Sequence, residues 1–348
     1  MTVDDTLTPT GHAVLTAGAT VVCLFLAEWF GLTHANLAVW TTYMVMVQYD
    51  FTSFQKGLER VIGRGLGIVA GLILTTWFHD TAVLTLVLIA VLLTTFFYLY
   101  FAGRLAYTFL NAGLYVVAMF EIGHANPASA VSAAWALFAA VVLGVVVADV
   151  MTWLFGGERD LRIRFGEASL WPLRGDWLSH SMMLAVTVSL TLLGANWLGL
   201  PPEKAAVSVM LLTVTPHIQA MILKGELRIA GALSATAWAL VTFLVVGLLP
   251  HLPLLAGLLF LGQFIAAYVT RTAGKYAYAG LQMGLVLPML IVAPLAEFGR
   301  FTPAVQRLEG ILLGLVASVV VAGLWPHFPL ADETPALPRP GLPGKLEA

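Results

Sequence analysis

The stretch KGLERVIGRGLGIVAGLILTTWF, residues 56–78, places a Lys-Gly-xx-Arg-xx-Gly motif directly before a long apolar run, and KGELRIAG at 224–231 repeats the motif. Basic residues heading about 20 apolar ones mark a membrane helix entered from the cytoplasmic side, because backbone amides must be satisfied internally across the hydrocarbon and positive charge resists translocation. Two such motifs, one in each half, make the chain a candidate duplication.

Outward from the motif the likeness continues. A shift of 168 residues lays His12 on His180, Trp29-Phe30-Gly31-Leu32 on Trp197-Leu198-Gly199-Leu200, and Lys56, Gly57, Arg60 and Gly63 on Lys224, Gly225, Arg228 and Gly231. Thirteen of the 56 positions from 12 to 67 are identical. At a shift of 171, residues 103–114 meet 274–285 with six of twelve identical, and Asn111 falls on Gln282. The pattern reads as a tandem repeat.

Composition agrees with a membrane protein. Of 348 residues 59% are apolar and 10% charged, with a net charge of −2, and the mean hydropathy is +0.90. A soluble domain carries roughly a quarter charged residues, so a soluble enzyme and a disordered chain are both excluded. Without a basic block there is no footprint for nucleic acid. Cys23 is the only cysteine, which excludes an internal disulfide, and it reads as a small apolar residue inside a helix.

Twelve spans are expected, near 12–31, 36–54, 61–78, 81–101, 105–121, 129–155, 180–199, 204–223, 227–249, 253–270, 276–296 and 304–325. The fold class is therefore all-α and polytopic, in two parallel six-helix repeats. The expected organisation is a first repeat at 1–155, a cytoplasmic basic linker at 156–179, a second repeat at 180–326 and a Pro-rich disordered tail at 327–348. The N-terminus lacks the positive segment of a cleavable signal peptide. With both termini cytoplasmic, every Lys and Arg lies inside except Lys204, Arg300 and Arg307, the asymmetry that orients inner-membrane proteins.

Two six-helix halves, each with Lys-Gly-xx-Arg-xx-Gly opening its third helix, resemble the fusaric acid resistance family, which includes aromatic acid exporters and is similar to plant malate channels. The resemblance implies an inner-membrane exporter of aromatic or other hydrophobic carboxylic acids, working with a periplasmic adaptor of the membrane-fusion type. Larger members carry a soluble cytoplasmic domain after each six-helix unit. Here about 24 residues join the halves, so this is a compact relative, and functions of that domain do not carry over. A homo-oligomer is compatible with the resemblance.

Polar groups within hydrocarbon are costly and mark candidate transport positions. Gln48, Tyr49 and Asp50 interrupt the second span, as Pro216, His217 and Gln219 interrupt the eighth. These breaks read either as helix ends or as the cytoplasmic end of a substrate path. Asn111 and Gln282, with Tyr107 and Tyr278 one helical turn earlier, could bind a carboxylate and stack on an aromatic ring; interhelical glue and an interfacial belt are the structural alternatives. Lys56, Arg60, Lys224 and Arg228 form a fourfold basic entrance or anchor the helices. Asp50, His217, Asp149 and Glu309 are the proton-coupling candidates, with an ion pair between Glu309 and Arg307 as the alternative for Glu309.

No HExxH, GxSxG, P-loop or dinucleotide motif is present, so no enzymatic chemistry, cofactor or metal site is expected. The expected function is proton-coupled export of organic anions. An anion channel and a non-transporting scaffold subunit are the alternatives.

Overall fold

A computed structural model describes residues 7–47, 53–78, 81–103, 105–155, 174–215, 217–249, 251–292 and 302–325. The Pro-rich tail, most of the 156–179 linker, Gln48 and Asp50 lie outside the described residues.

Twelve α-helices make up the described fold: α1 (Pro9–Trp29), α2 (Ala35–Val47), α3 (Ser53–Trp77), α4 (Ala82–Phe101), α5 (Ala106–Ala125) and α6 (Ala130–Phe155), then α7 (Gly175–Leu198), α8 (Pro202–Thr213), α9 (Ile218–Leu248), α10 (Leu252–Thr272), α11 (Ala277–Ile291) and α12 (Thr302–Leu324). Local chemistry sets several ends. Thr8 caps α1, its hydroxyl accepting from the Gly11 N–H with Pro9 at the first helical position. Gly199, at φ +65°, closes α7 in a left-handed conformation that glycine adopts without strain.

Eight helices (α1, α4, α5, α6, α7, α9, α10 and α12) are long and apolar enough to cross a membrane. Helices α2, α8 and α11 have 13, 12 and 15 residues, so each rises only about 18–23 Å against a hydrocarbon core of roughly 30 Å. Helix α3 is long but buries Glu59, Arg60 and Arg64. Its start at Ser53 and that of α9 at Ile218 precede the apolar runs expected at 61 and 227, because the Lys, Glu and Arg residues of the motifs are good helix formers and extend each helix toward its N-terminus.

The helices close into a ring of neighbours: α4, α5, α3, α6, α2, α1, α10, α11, α9, α12, α8, α7 and back to α4. Across it, α2 packs on α11 and α5 on α8. Exchanging α1–α6 with α7–α12 turns each of these pairings into another of them. The chain halves therefore do not sit as separate blocks, since α1 lies against α10 and α7 against α4.

Small residues allow the closest approaches. Gly63, Gly67 and Gly71 form a stripe on α3 against α5, where a Cβ at Gly63 or Gly67 would overlap the carbonyl oxygen of Thr108 or Ala112. On α9 the stripe is Gly231, Ala235 and Ala239, and a Cβ at Gly231 would overlap the carbonyl oxygen of Ala279 on α11. With lipid as the competing apolar phase, such backbone proximity is what holds membrane helices together.

Candidate functional site

The close packing of α3 on α5 and of α9 on α11 carries basic side chains into the bundle. Arg60, Arg64 and Arg228 are 1%, 0% and 0% exposed, and Arg307 is 8% exposed. Buried unpaired charge is costly, so the surroundings of each guanidinium decide what it can do.

In the first half Arg60 donates from Nη1 to the Tyr107 hydroxyl at 2.5 Å, and its guanidinium lies 4.5 Å from the Trp40 ring centre. One turn further along α3, Arg64 lies 3.8 Å from the Tyr115 ring centre and 5.8 Å from that of Trp40. Such cation–π contact offsets part of the desolvation of a guanidinium and leaves its N–H groups available for hydrogen bonds.

In the second half Arg228 donates to the Tyr278 hydroxyl and to the Ser208 hydroxyl, both at 3.4 Å. Lys224 donates to the Leu211 carbonyl oxygen at 2.6 Å and to the Thr215 hydroxyl at 3.3 Å, with its ammonium 5.4 Å from the Tyr278 ring centre. It thereby satisfies one of the carbonyls orphaned at the end of α8. Arg307 lies within electrostatic range of Arg228, Tyr278 and Glu203. Glu203 in turn faces Lys204, and on α5 Tyr115 and Glu121. Charged and phenolic groups within electrostatic range of one another thus link Arg60, Tyr115, Glu203, Arg307 and Arg228.

The remaining candidates are placed as follows. Asn111 is buried and donates from Nδ2 to the Tyr107 carbonyl oxygen of its own helix at 2.7 Å. Gln282 is buried against Gly231, and no hydrogen bond joins it to Asn111 among the described residues. Lys56 is half-buried, and Asp149, also half-buried, faces Gly57 of the Lys56 motif. His217 occupies the N-cap position of α9 without a side-chain capping hydrogen bond, whereas Gln219 is exposed. Glu309 is half-buried on α12, while Arg307 is buried within electrostatic range of Arg228, Glu203 and Tyr278.

Sequence reasoning passed over Arg64, Trp40, Tyr115, Ser208 and Glu203. Arg64 carried a usable signal, a charge one helical turn past Arg60 inside an otherwise apolar run, but it read as a membrane-face anchor. Glu59 was also missed. Buried, it accepts from the Thr108 N–H at 3.3 Å and from Gln55 at 2.7 Å, capping the start of α5 next to Leu105, whose φ is +50°. Carboxylates are favoured at that end of a helix.

Fold and composition together define a multi-pass helical membrane protein. Residues 10–165 match the model of the fusaric acid resistance protein family. The match bears out, over that stretch, the family resemblance carried by the motif, and that family suggests membrane transport or efflux in general. No curated protein and no solved structure matches the chain.

Proposed function

We propose that the protein is a secondary exporter of organic anions, aromatic or hydrophobic carboxylic acids, coupled to the proton gradient across a bacterial inner membrane. The observation that carries this reading is the burial of four guanidinium groups inside an otherwise apolar bundle. Cations desolvated and held by rings and hydroxyls form an electropositive interior suited to an anion crossing a low-dielectric barrier.

Two parallel repeats would make the path. The reading is supported by matched contacts: Arg60 bonds Tyr107 as Arg228 bonds Tyr278, and Gly63 meets residue 108 as Gly231 meets residue 279. On this account both termini are cytoplasmic, Lys56 and Lys224 stand at the entrance, and Asp50, Asp149, His217 and Glu309 are the groups to examine for proton coupling. A periplasmic membrane-fusion adaptor would carry the acid onward.

The test is efflux of labelled aromatic acids from whole cells, and uptake into everted vesicles, with and without a protonophore. Collapse of accumulation with the gradient is expected. Anion movement that only dissipates a gradient would make the protein a channel, and unchanged accumulation after the gradient collapses would remove the proton coupling.

A further inference from the structure

The two halves supply arginine differently. Arg60 and Arg228 are equivalent, but the position matching Arg64 is Ala232, and the position matching Trp40 is Ser208. The second half instead brings Arg307 from α12 and sets Glu203 within its electrostatic range. Arg307 therefore has a carboxylate of the chain's own within electrostatic range.

In the first half no carboxylate among the described residues stands in that relation to Arg64. Arg64 is 0% exposed, and its Nε, Nη1 and Nη2 are all without a hydrogen-bond partner. The ionisable groups that face it are Tyr115, Tyr107 and a second cation, Arg60. Both guanidiniums lie within cation–π range of one ring, Trp40, at 4.5 Å and 5.8 Å from its centre. Cation–π contact offsets part of the desolvation of one arginine, yet two adjacent cations repel in a low dielectric. An interior with this balance is completed by an anion.

We propose that Arg64, with Arg60 beside it, binds the carboxylate of the transported acid, in a site that the first half of the chain builds and the second half does not. The geometry specifies the ligand class. The Arg64 guanidinium lies 3.8 Å from the Tyr115 ring centre and 5.8 Å from that of Trp40, and its N–H groups have no hydrogen-bond partner among the described residues, so that N–H edge is what meets the ligand, and a planar carboxylate fits it through two parallel hydrogen bonds. A spherical halide cannot use both donors in this way, and a neutral amide lacks the charge. Lysine at position 64 would keep the charge but lose the fork and the stacking. The aromatic residues thus hold the arginine, and recognition of the acid's own ring falls to other contacts. This inference rests on the organic-anion reading of the function and deepens it.

The experiment is a benzoate titration of the purified full-length protein in lipid nanodiscs, read by calorimetry for stoichiometry and by the thermal unfolding midpoint. Saturable binding of one benzoate per chain is expected, with no response to benzamide or to chloride at equal ionic strength. Arg64→Lys should weaken benzoate binding at least tenfold. Arg64→Gln should abolish the benzoate-dependent shift while leaving the ligand-free midpoint equal to or above that of the wild type, because it removes an unpaired buried cation. A merely structural arginine would instead lower that midpoint. If neither Arg64 variant inserts stably, Trp40→Phe keeps a ring under both arginines and should weaken benzoate binding several-fold with unchanged stoichiometry.

Benzoate binding that survives both Arg64 substitutions, or Trp40→Phe with unchanged affinity, would overturn the proposal. So would equal stabilisation by chloride, two benzoates per chain, or no binding at all. No gradient is present in the titration, so a failure of proton coupling in vesicles leaves this result standing. Transport that persists in Arg64→Gln defeats the site alone.

Discussion

Gly63 on α3 and Thr108 on α5 meet with no room for a side chain: a Cβ on the glycine would overlap the Thr108 carbonyl oxygen. This approach sets the spacing at which Arg60 reaches Tyr107. Gly63→Ala should therefore separate the helices and lower stability by about 1–3 kcal/mol. Gly18→Ala, where nothing lies within 4 Å, should leave the unfolding midpoint unchanged or raise it. Thermal unfolding of the two purified variants in the same detergent checks the contrast.

The two tyrosines should not be equivalent. Tyr107 is the hydroxyl acceptor of Arg60, whereas Arg228 has Ser208 as well as Tyr278. Tyr107→Phe leaves a buried charge-bearing donor without its acceptor and should cost about 1–3 kcal/mol. Tyr278→Phe should cost less, since Ser208 remains. Equal losses of thermal stability in the two variants would contradict this account of the pairs.

Glu59 provides a third test. Its carboxylate accepts from the Thr108 N–H at 3.3 Å, a donor shared with the Leu105 carbonyl oxygen at 2.9 Å, so Glu59→Ala should lose less than a full cap, under about 1 kcal/mol. Glu59→Gln keeps an accepting oxygen and should retain much of the stability, losing only the favourable charge at the helix N-terminus. Hydrogen exchange at the first turn of α5 reads the difference directly.

Most of the helical architecture was legible because a membrane helix is written in runs of apolar residues. The expected span at 81–101 lies within one residue of α4 at each end. Less legible were helices whose charge is buried. Apolar runs begin only after Arg60 and near Arg228, so α3 and α9 were expected about eight or nine residues late. Helix α8 was expected to run to 223 and ends at Thr213, because the polar break read as an interruption within one helix separates α8 from α9.

The site was legible where both halves share residues and obscure where they differ. Arg60 with Tyr107 and Arg228 with Tyr278 follow from two offsets along the chain. Arg64 and Arg307 have no partner in the other repeat, so matching the halves could not find them. Their burial depends on which faces of α3 and α12 turn inward, which is fixed by packing against α2, α5, α8 and α9. Asn111 shows the opposite case. Its repeat position marked an amide inside the bundle, to bind a carboxylate or to join helices, and the packing adds a bond from its Nδ2 to the Tyr107 carbonyl oxygen of its own helix.

The central claim is that buried arginines contributed by both halves carry an organic anion through the bundle. Its most direct test is transport of radiolabelled benzoate by proteoliposomes holding the wild type or the Arg60→Gln/Arg228→Gln double variant, each shown to be inserted and monodisperse. The account predicts that flux in the double variant falls to the level of protein-free liposomes. Benzoate flux equal to that of the wild type would contradict it and return both arginines to a purely structural role.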